Sequence, residues 1–222
     1  MARFDDLHEV KGGCVPISFL VLGPIENNVY LIDDGAGGVI VVDPSCEPDL
    51  IMDALAGRPI SALFVTHQHW DHVGALRALV DRTDAAVYAS RIDAPTIESG
   101  QADRHSPERI PPCRVDHKLS DGESVTVGML TWRCILTPGH TKGSMCLLAE
   151  TGTRPGSPVL ISGDTLFQAS IGRVDFEGGS MTDMRASLRK LSKLPDDTIV
   201  LPGHMGTTTI GAERHRVIEA LM

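Results

Sequence analysis

The chain has nine histidines, and the densest group lies in Thr66-His67-Gln68-His69-Trp70-Asp71-His72. His67 and His69 are two residues apart, so in extended backbone both rings point to one side. A turn after them redirects Asp71 and His72 toward a second point nearby. Imidazole and carboxylate are suitable ligands for Zn²⁺, Fe²⁺ or Mn²⁺. Four donors in six residues do not satisfy two ions, so further donors must come from elsewhere in the chain. Three candidates stand just after apolar runs: His140 in Leu136-Thr137-Pro138-Gly139-His140, Asp164 in Leu160-Ile161-Ser162-Gly163-Asp164, and His204 in Leu201-Pro202-Gly203-His204. Each follows a glycine, which permits a sharp turn and close backbone approach. Donors at strand ends along one edge converge on a common crevice.

The elements that must position these residues are legible as short β-branched runs. They fall at 17–22, 28–33, 38–43, 60–66, 85–89, 124–128, 130–137, 143–149, 158–162 and 198–201. Turn-forming residues separate the first three, which read as an antiparallel meander. Helical periodicity is expected over 48–56, 72–82, 181–193 and 212–221. In the second of these, Val73, Leu76, Leu79 and Val80 share a face. Ser180 and Asp183 have the spacing of a capping box. Residues 94–113 are polar and Pro-rich and read as a loop or linker between two halves, with room for one short helix. Strands interspersed with isolated helices predict an α/β layer architecture.

The set H-x-H-x-D-H, then Gly-His, Gly-Asp and a second Gly-His, resembles the metallo-β-lactamase superfamily over nearly the whole chain, including Asp43 in Val41-Val42-Asp43-Pro44. THQHWDH, TPGHTKGS, SGDTLFQASIGRVDFEGG and LPGHMGTTTIGAER are similar to signatures of its glyoxalase II-like branch. The resemblance implies a four-layer αββα sandwich, two mixed β-sheets flanked by helices, in a single domain spanning 1–222. It also implies two divalent metal ions, zinc first, with iron or manganese as alternatives. His67, His69 and His140 would hold one ion, Asp71, His72 and His204 the other, and Asp164 would bridge them. The best-known metal-dependent β-lactamases carry Cys at the Asp164 position, so Asp argues against β-lactam chemistry. Five neutral imidazoles, two carboxylates and two divalent ions leave residual positive charge, which favours an oxyanion.

The activity this implies is hydrolysis of a thioester by a hydroxide shared between the ions, with Asp71 orienting it. Arg173 is the expected contact for an anionic substrate, with an ion pair to Asp175 as the alternative. Lys142 stands where the branch carries Pro and is either a second anion contact or a solvated loop residue. Asp43 is expected to support a ligand histidine or to cap a turn, and Trp70 to pack rather than touch substrate. His8, His105, His117 and His215 lie outside any motif. Glyoxalase II proper carries several helices after the last motif, and this chain carries one, so a smaller or different thioester is expected. The rival activities are a lactonase on the same ions, a persulfide dioxygenase using one iron, and a non-catalytic metal-binding protein.

Composition narrows the partners. With 222 residues and 42% apolar content, the chain can bury a real core. A net charge of −9 without a basic block argues against nucleic acid. The few aromatics, 4%, argue against a stacking platform for single strands. Five widely spaced cysteines without C-x-x-C read as reduced thiols of a cytoplasmic protein. The charged start MARFDDLHEV is not a signal peptide, and no apolar run could span a bilayer. A small-molecule substrate is the expected partner, and the oligomeric state is left open.

Overall fold

The computed structural model describes residues 7–100 and 109–222. The first half contributes a seven-stranded sheet whose strands lie in sequence order. It runs through β1 (His8–Val10), β2 (Ile17–Leu22), β3 (Asn27–Asp33) and β4 (Val39–Val42), then α1 (Pro48–Ala54) and β5 (Ile60–Phe64). After the helices α2 (Trp70–Val73) and α3 (Leu76–Thr83) come β6 (Val87–Ser90), α4 (Ala94–Ser99) and β7 (His117–Leu119). Strands β1 to β4 pair antiparallel, as the meander reading expects. The pairs β4–β5, β5–β6 and β6–β7 are parallel, with helices in the crossovers.

The second sheet is six-stranded. It is built from β8 (Ser124–Val127), β9 (Leu130–Leu136), β10 (Met145–Ala149) and β11 (Val159–Gly163). A hairpin of β12 (Leu166–Phe167) and β13 (Ser170–Ile171) and the helix α5 (Met181–Leu191) follow. Then come β14 (Ile199–Pro202), β15 (Thr208–Thr209), α6 (Ile210–Glu213), a π-helical turn (Arg214–Ile218) and α7 (Glu219–Leu221). Only β11–β14 is parallel in this sheet.

Alternation along the central strands explains the layering. In β4, Ile40 and Val42 face the second sheet together with Tyr30, Phe64, Trp132, Leu147 and Ile161. Val39 and Val41 point the other way, onto Ile51, Leu55, Leu76, Leu79 and Ile97 from the helices. In β10, Leu147 faces inward while Cys146 and Leu148 pack on Met184, Leu188 and Leu191 of α5. Strands buried on both faces read as continuous apolar runs. Three cores thus separate four layers, helices–sheet–sheet–helices, as the resemblance implies.

Two differences from the sequence reading stand out. The helix expected over 72–82 is broken into α2 and α3, because the Ala75 N–H donates to Pro44 O (2.9 Å) instead of continuing the helical ladder. Gly74 makes this possible: a Cβ there would sit 2.2 Å from Ser45 O. The segment 94–113 opens with α4, the one short helix allowed for there, and residues 101–108 lie outside the described residues. The last helix is interrupted by the π-helical turn, an insertion that the apolar spacing does not reveal. At α5 the expected cap is present, with the Asp183 N–H donating to Ser180 Oγ (3.2 Å). Among the described residues no helix is long and apolar enough to cross a membrane.

Candidate metal centre

The donors singled out in the sequence meet at one end of the sandwich. His67 to His72 follow β5, His140 follows β9, Asp164 follows β11 and His204 follows β14. Three groups have all their donor atoms within 4.8 Å of one another: His67–His69–His140, His67–His72–Asp164 and Asp71–His72–His204. Asp164 stands between the groups. Its Oδ2 is 3.4 Å from His140 Nε2 and 3.6 Å from His204 Nε2, and its Oδ1 is 3.5 Å from His72 Nε2. Asp71 Oδ2 lies 3.2 Å from His72 Nε2 and 3.3 Å from His204 Nε2. These separations exceed those of charge-assisted hydrogen bonds. They match the ~3.4 Å edge of a tetrahedron whose ligands stand about 2.1 Å from a common ion. His67 Nε2 and Asp164 Oδ1 are buried without a hydrogen-bond partner, a costly state unless a cation accepts their lone pairs. On these grounds the residues fit a pair of divalent ions.

The ring orientations follow from partners behind the donors. His72 Nδ1–H donates to Asp43 Oδ2 (2.9 Å), His140 Nδ1–H to Arg173 O (2.7 Å), and His204 Nδ1–H to Ile25 O (3.0 Å). Each bond leaves Nε2 facing the cluster. Asp43 also accepts from Thr66 N (2.7 Å) and Thr66 Oγ1 (2.7 Å), and that hydroxyl lies 3.1 Å from His67 Nδ1. One buried carboxylate therefore sets the tautomers of two rings, directly at His72 and through Thr66 at His67. His69 differs in turning Nδ1 toward the cluster, 2.8 Å from His140 Nε2.

Electrostatics set the histidines apart. Burial pushes His67 well below its ordinary pKa, and the neighbouring His72, His69 and His140 push it further. Burial also opposes charge on His72, but Asp71, Asp164 and Asp43 outweigh it and raise that ring well above its usual value. Burial would raise Asp71, yet His72 and His204 hold it far below the carboxylate range. Positive charge is therefore favoured beside Asp71 and His72 and resisted at His67.

Two glycines before donors are explained by space. Gly163 has φ +48°, and a Cβ there would meet Thr66 Oγ1 at 2.5 Å. Gly203 lies so close to the cluster that a Cβ would meet Asp164 Oδ1 at 2.4 Å and His72 Cε1 at 2.6 Å. The loop holding His204 is tied to β3: Asn28 Nδ2 donates to Pro202 O and Met205 O (both 2.9 Å), and Tyr30 Oη donates to Pro202 O (2.7 Å).

The cluster opens into a cavity of about 710 Å³. Its described walls, beyond the clustered His and Asp side chains, include Ile25, Trp70, Phe167, Ile171, Phe176 and Met205. Phe176 sets its edge against His69 and His140, with ring centres 5.7 and 5.9 Å away, and Phe167 stands 6.0 Å from His204. Arg173 lines the cavity too. Its guanidinium pairs with both Asp175 oxygens (2.9 and 2.7 Å) and lies 4.1 Å over Phe176. The pair with Asp175 is thus formed, while the Arg173 carbonyl orients His140. Lys142 is exposed, neighbours Gly178 and is not among the cavity's described walls. Trp70 both packs on the outer core of the first sheet and lines the cavity. Away from the cluster, His8 packs at a tilt against Phe19, His117 stacks on Tyr88, and His215 pairs with Glu219; His105 lies outside the described residues.

Sequence reasoning missed three supports. Asn27 Nδ2 donates to Asp71 Oδ2 (2.9 Å), Thr66 links Asp43 to His67, and Asp93 is buried beside the His140 loop. Burial raises the Asp93 pKa despite bonds from Thr141, Gln68 N–H and Gly143 N–H. A lone Asn opening a strand or a lone Asp before a helix carries no spacing signal that marks such a role. The Thr66-His67 adjacency was the one available cue.

The sequence model of the metallo-beta-lactamase superfamily matches residues 22–204, and the chain belongs to that superfamily. An uncharacterized protein of Aquifex aeolicus is 35% identical over 204 residues, which cover 89% of this chain and 93% of the relative. Among solved structures, BLEG-1, described as a B3 metallo-beta-lactamase, is 33% identical with TM-score 0.81, covering 90% of this chain and 96% of that one. TTHA1623 in a di-iron-bound form is also 33% identical, with TM-score 0.77, covering 89% of this chain and 97% of that one.

Proposed function

We propose that the protein is a binuclear metal-dependent hydrolase of the glyoxalase II-like branch acting on a thioester. The observation that carries the reading is Asp164, one carboxylate whose oxygens face His72, His140 and His204 and so span the two histidine groups. His67, His69 and His140 would hold one ion, Asp71, His72 and His204 the second, with Asp164 shared. Bound there, two divalent ions supply a water deprotonated near neutral pH and a Lewis acid for the carbonyl oxygen. Asp71, fixed by Asn27, orients the attacking water. Phe176 and Phe167 flank the groups and keep bulk water from the scissile bond. A thiolate leaves without protonation, which suits a cavity whose remaining described walls are largely apolar. All five cysteines are free thiols, which supports a reducing, cytoplasmic setting.

A second reading is hydrolysis of a β-lactam, favoured by the likeness to BLEG-1. Asp164 argues only against the kind of activity seen in the Cys-bearing lactamases, so cephalosporin turnover decides this reading. The test is metal content per chain together with turnover of a hydroxyacyl thioester, an acyl-homoserine lactone and a cephalosporin. Two ions per chain with thioester turnover is the expected result. One iron per chain with oxygen uptake on a persulfide would replace the reading with a dioxygenase.

A further inference from the structure

Asp93 immediately precedes α4, where an aspartate ordinarily caps the free N–H groups of a helix. Its side chain makes no such bond. It is 2% exposed and turns toward the metal centre instead. Asp93 Oδ2 accepts from the Gln68 N–H (3.1 Å) and from Thr141 Oγ1 (2.8 Å). Gln68 lies between His67 and His69, and Thr141 follows His140. One carboxylate oxygen thus joins two loops that leave different sheets and carry the three donors of one group. The Thr141 hydroxyl is held in turn against Ser144 Oγ (2.8 Å), which accepts from the Thr141 N–H (3.0 Å). Close approach of the second loop depends on Gly143, where a Cβ would lie 2.2 Å from Asp93 Oδ1. The hydrogen bonds of Asp43 run instead to Thr66 and His72, and none reaches the His140 loop.

We propose that Asp93 is a positioning residue for the His67–His69–His140 group, setting the separation of the two loops so that all three rings meet one ion. The Asp71–His72–His204 group depends on Asp43 and Asn27 and not on Asp93. The assignment rests on the two-ion reading of the site, and it concerns how ions are held rather than which substrate is turned over.

The test challenges metal-loaded full-length protein with a graded chelator and counts the zinc ions retained per chain. Wild type is compared with D93A, T141V, T141S and G143A, and Co²⁺ absorption spectra are recorded in parallel. In D93A, T141V and G143A one of the two ions is expected to bind about 10–100-fold more weakly, the scale for losing a group that orients ligands. The other ion keeps its affinity. T141S, which retains the hydroxyl, restores the weakened ion where T141V does not. Equal affinities in T141V, G143A and wild type overturn the assignment, as does an equal fall at both sites, which marks general loss of structure. If D93A does not fold, the T141V and T141S pair decides. Two ions in wild type without hydrolysis of any panel substrate sink the proposed function and leave the Asp93 assignment standing.

Discussion

Replacing Gly203 by alanine brings a methyl carbon to 2.4 Å from Asp164 Oδ1 and 2.6 Å from His72 Cε1. A Cβ rarely comes nearer than 3.0 Å to another heavy atom, so the carboxylate must move by about 0.6 Å or the backbone must retreat. The backbone is pinned. Gly203 N–H donates to Gly163 O (3.0 Å), and Gly203 O accepts from the Asn28 N–H (2.8 Å). The displacement therefore falls on Asp164 and His72. Ligand distances in metal sites hold to roughly 0.2 Å, so a shift of this size disturbs the carboxylate that both groups share. Misplacing a reacting group by about 1 Å costs on the order of 10²-fold in rate, or about 2.7 kcal/mol of transition-state stabilisation. G203A is expected to lose zinc on dialysis and to lower kcat/KM by that factor. Overpacking should cost the metal-free protein only about 1–3 kcal/mol in stability. Zinc per chain, kcat/KM on the substrate found by the panel, and urea unfolding of the metal-free protein measure the three effects. G203A with two tightly bound ions and wild-type kcat/KM would refute the reasoning.

Other perturbations separate the supports of the site. D43N keeps the shape and tolerates the φ of +51° at this position, but it presents an amide to donors that now meet an anion. It should weaken metal binding by about 10–100-fold in a chelator titration, and wild-type affinity would show that the Asp43 charge is dispensable. Glu213 is buried and accepts from Thr208 Oγ1 (2.6 Å), Ala169 N–H (3.0 Å) and Arg216. Burial would raise its pKa, but Arg216, Thr208 and Ala169 outweigh burial and lower it. Its contribution to stability is therefore present above the ordinary glutamate pKa, about 4.3, and lost as pH falls through the lowered value. E213Q should cost about 1–3 kcal/mol at pH 7, and the difference from wild type should shrink in acid. An equal difference at all pH values would show that the charge is not what matters. Burial pushes Cys134 up to about 12 and Cys113 and Cys146 to about 11. Burial and Glu47 also raise the Cys46 thiol, but it is the one half-buried cysteine among four buried ones, so it should react first and slowly with Ellman's reagent at about pH 8 in the folded protein, and rapid labelling of several thiols would contradict this.

How much was legible in advance depended on whether a residue belonged to a pattern. The apolar strands such as Val39–Val42 and Leu130–Leu136 announced themselves, because the first is buried on both faces and the second alternates over most of its length. The two- and three-residue strands His8–Val10, Leu166–Phe167 and Thr208–Thr209 are too short for any period to register. In the site, the seven candidate donors stood out because their spacing, with a glycine before three of them, follows a recognised order. The groups behind them were not. Asn27 and Asp93 act through bonds across 44 and 48 residues of chain, to Asp71 and Thr141, and no local pattern encodes contacts of that range. The break between α2 and α3 was hidden for the same reason, since it depends on Pro44 and Ser45.

The donors are divided between the two halves of the molecule: the loop after β5 supplies four, while the ends of β9, β11 and β14 supply three. On the proposed assignment neither half completes an ion's coordination alone. Ion binding and the cohesion of the two sheets are therefore thermodynamically linked, and an ion that binds only the assembled sandwich stabilises it by mass action. The resistance of this fold to unfolding then becomes a function of free metal concentration, and scarcity of the ion weakens the clasp between the sheets as well as the chemistry.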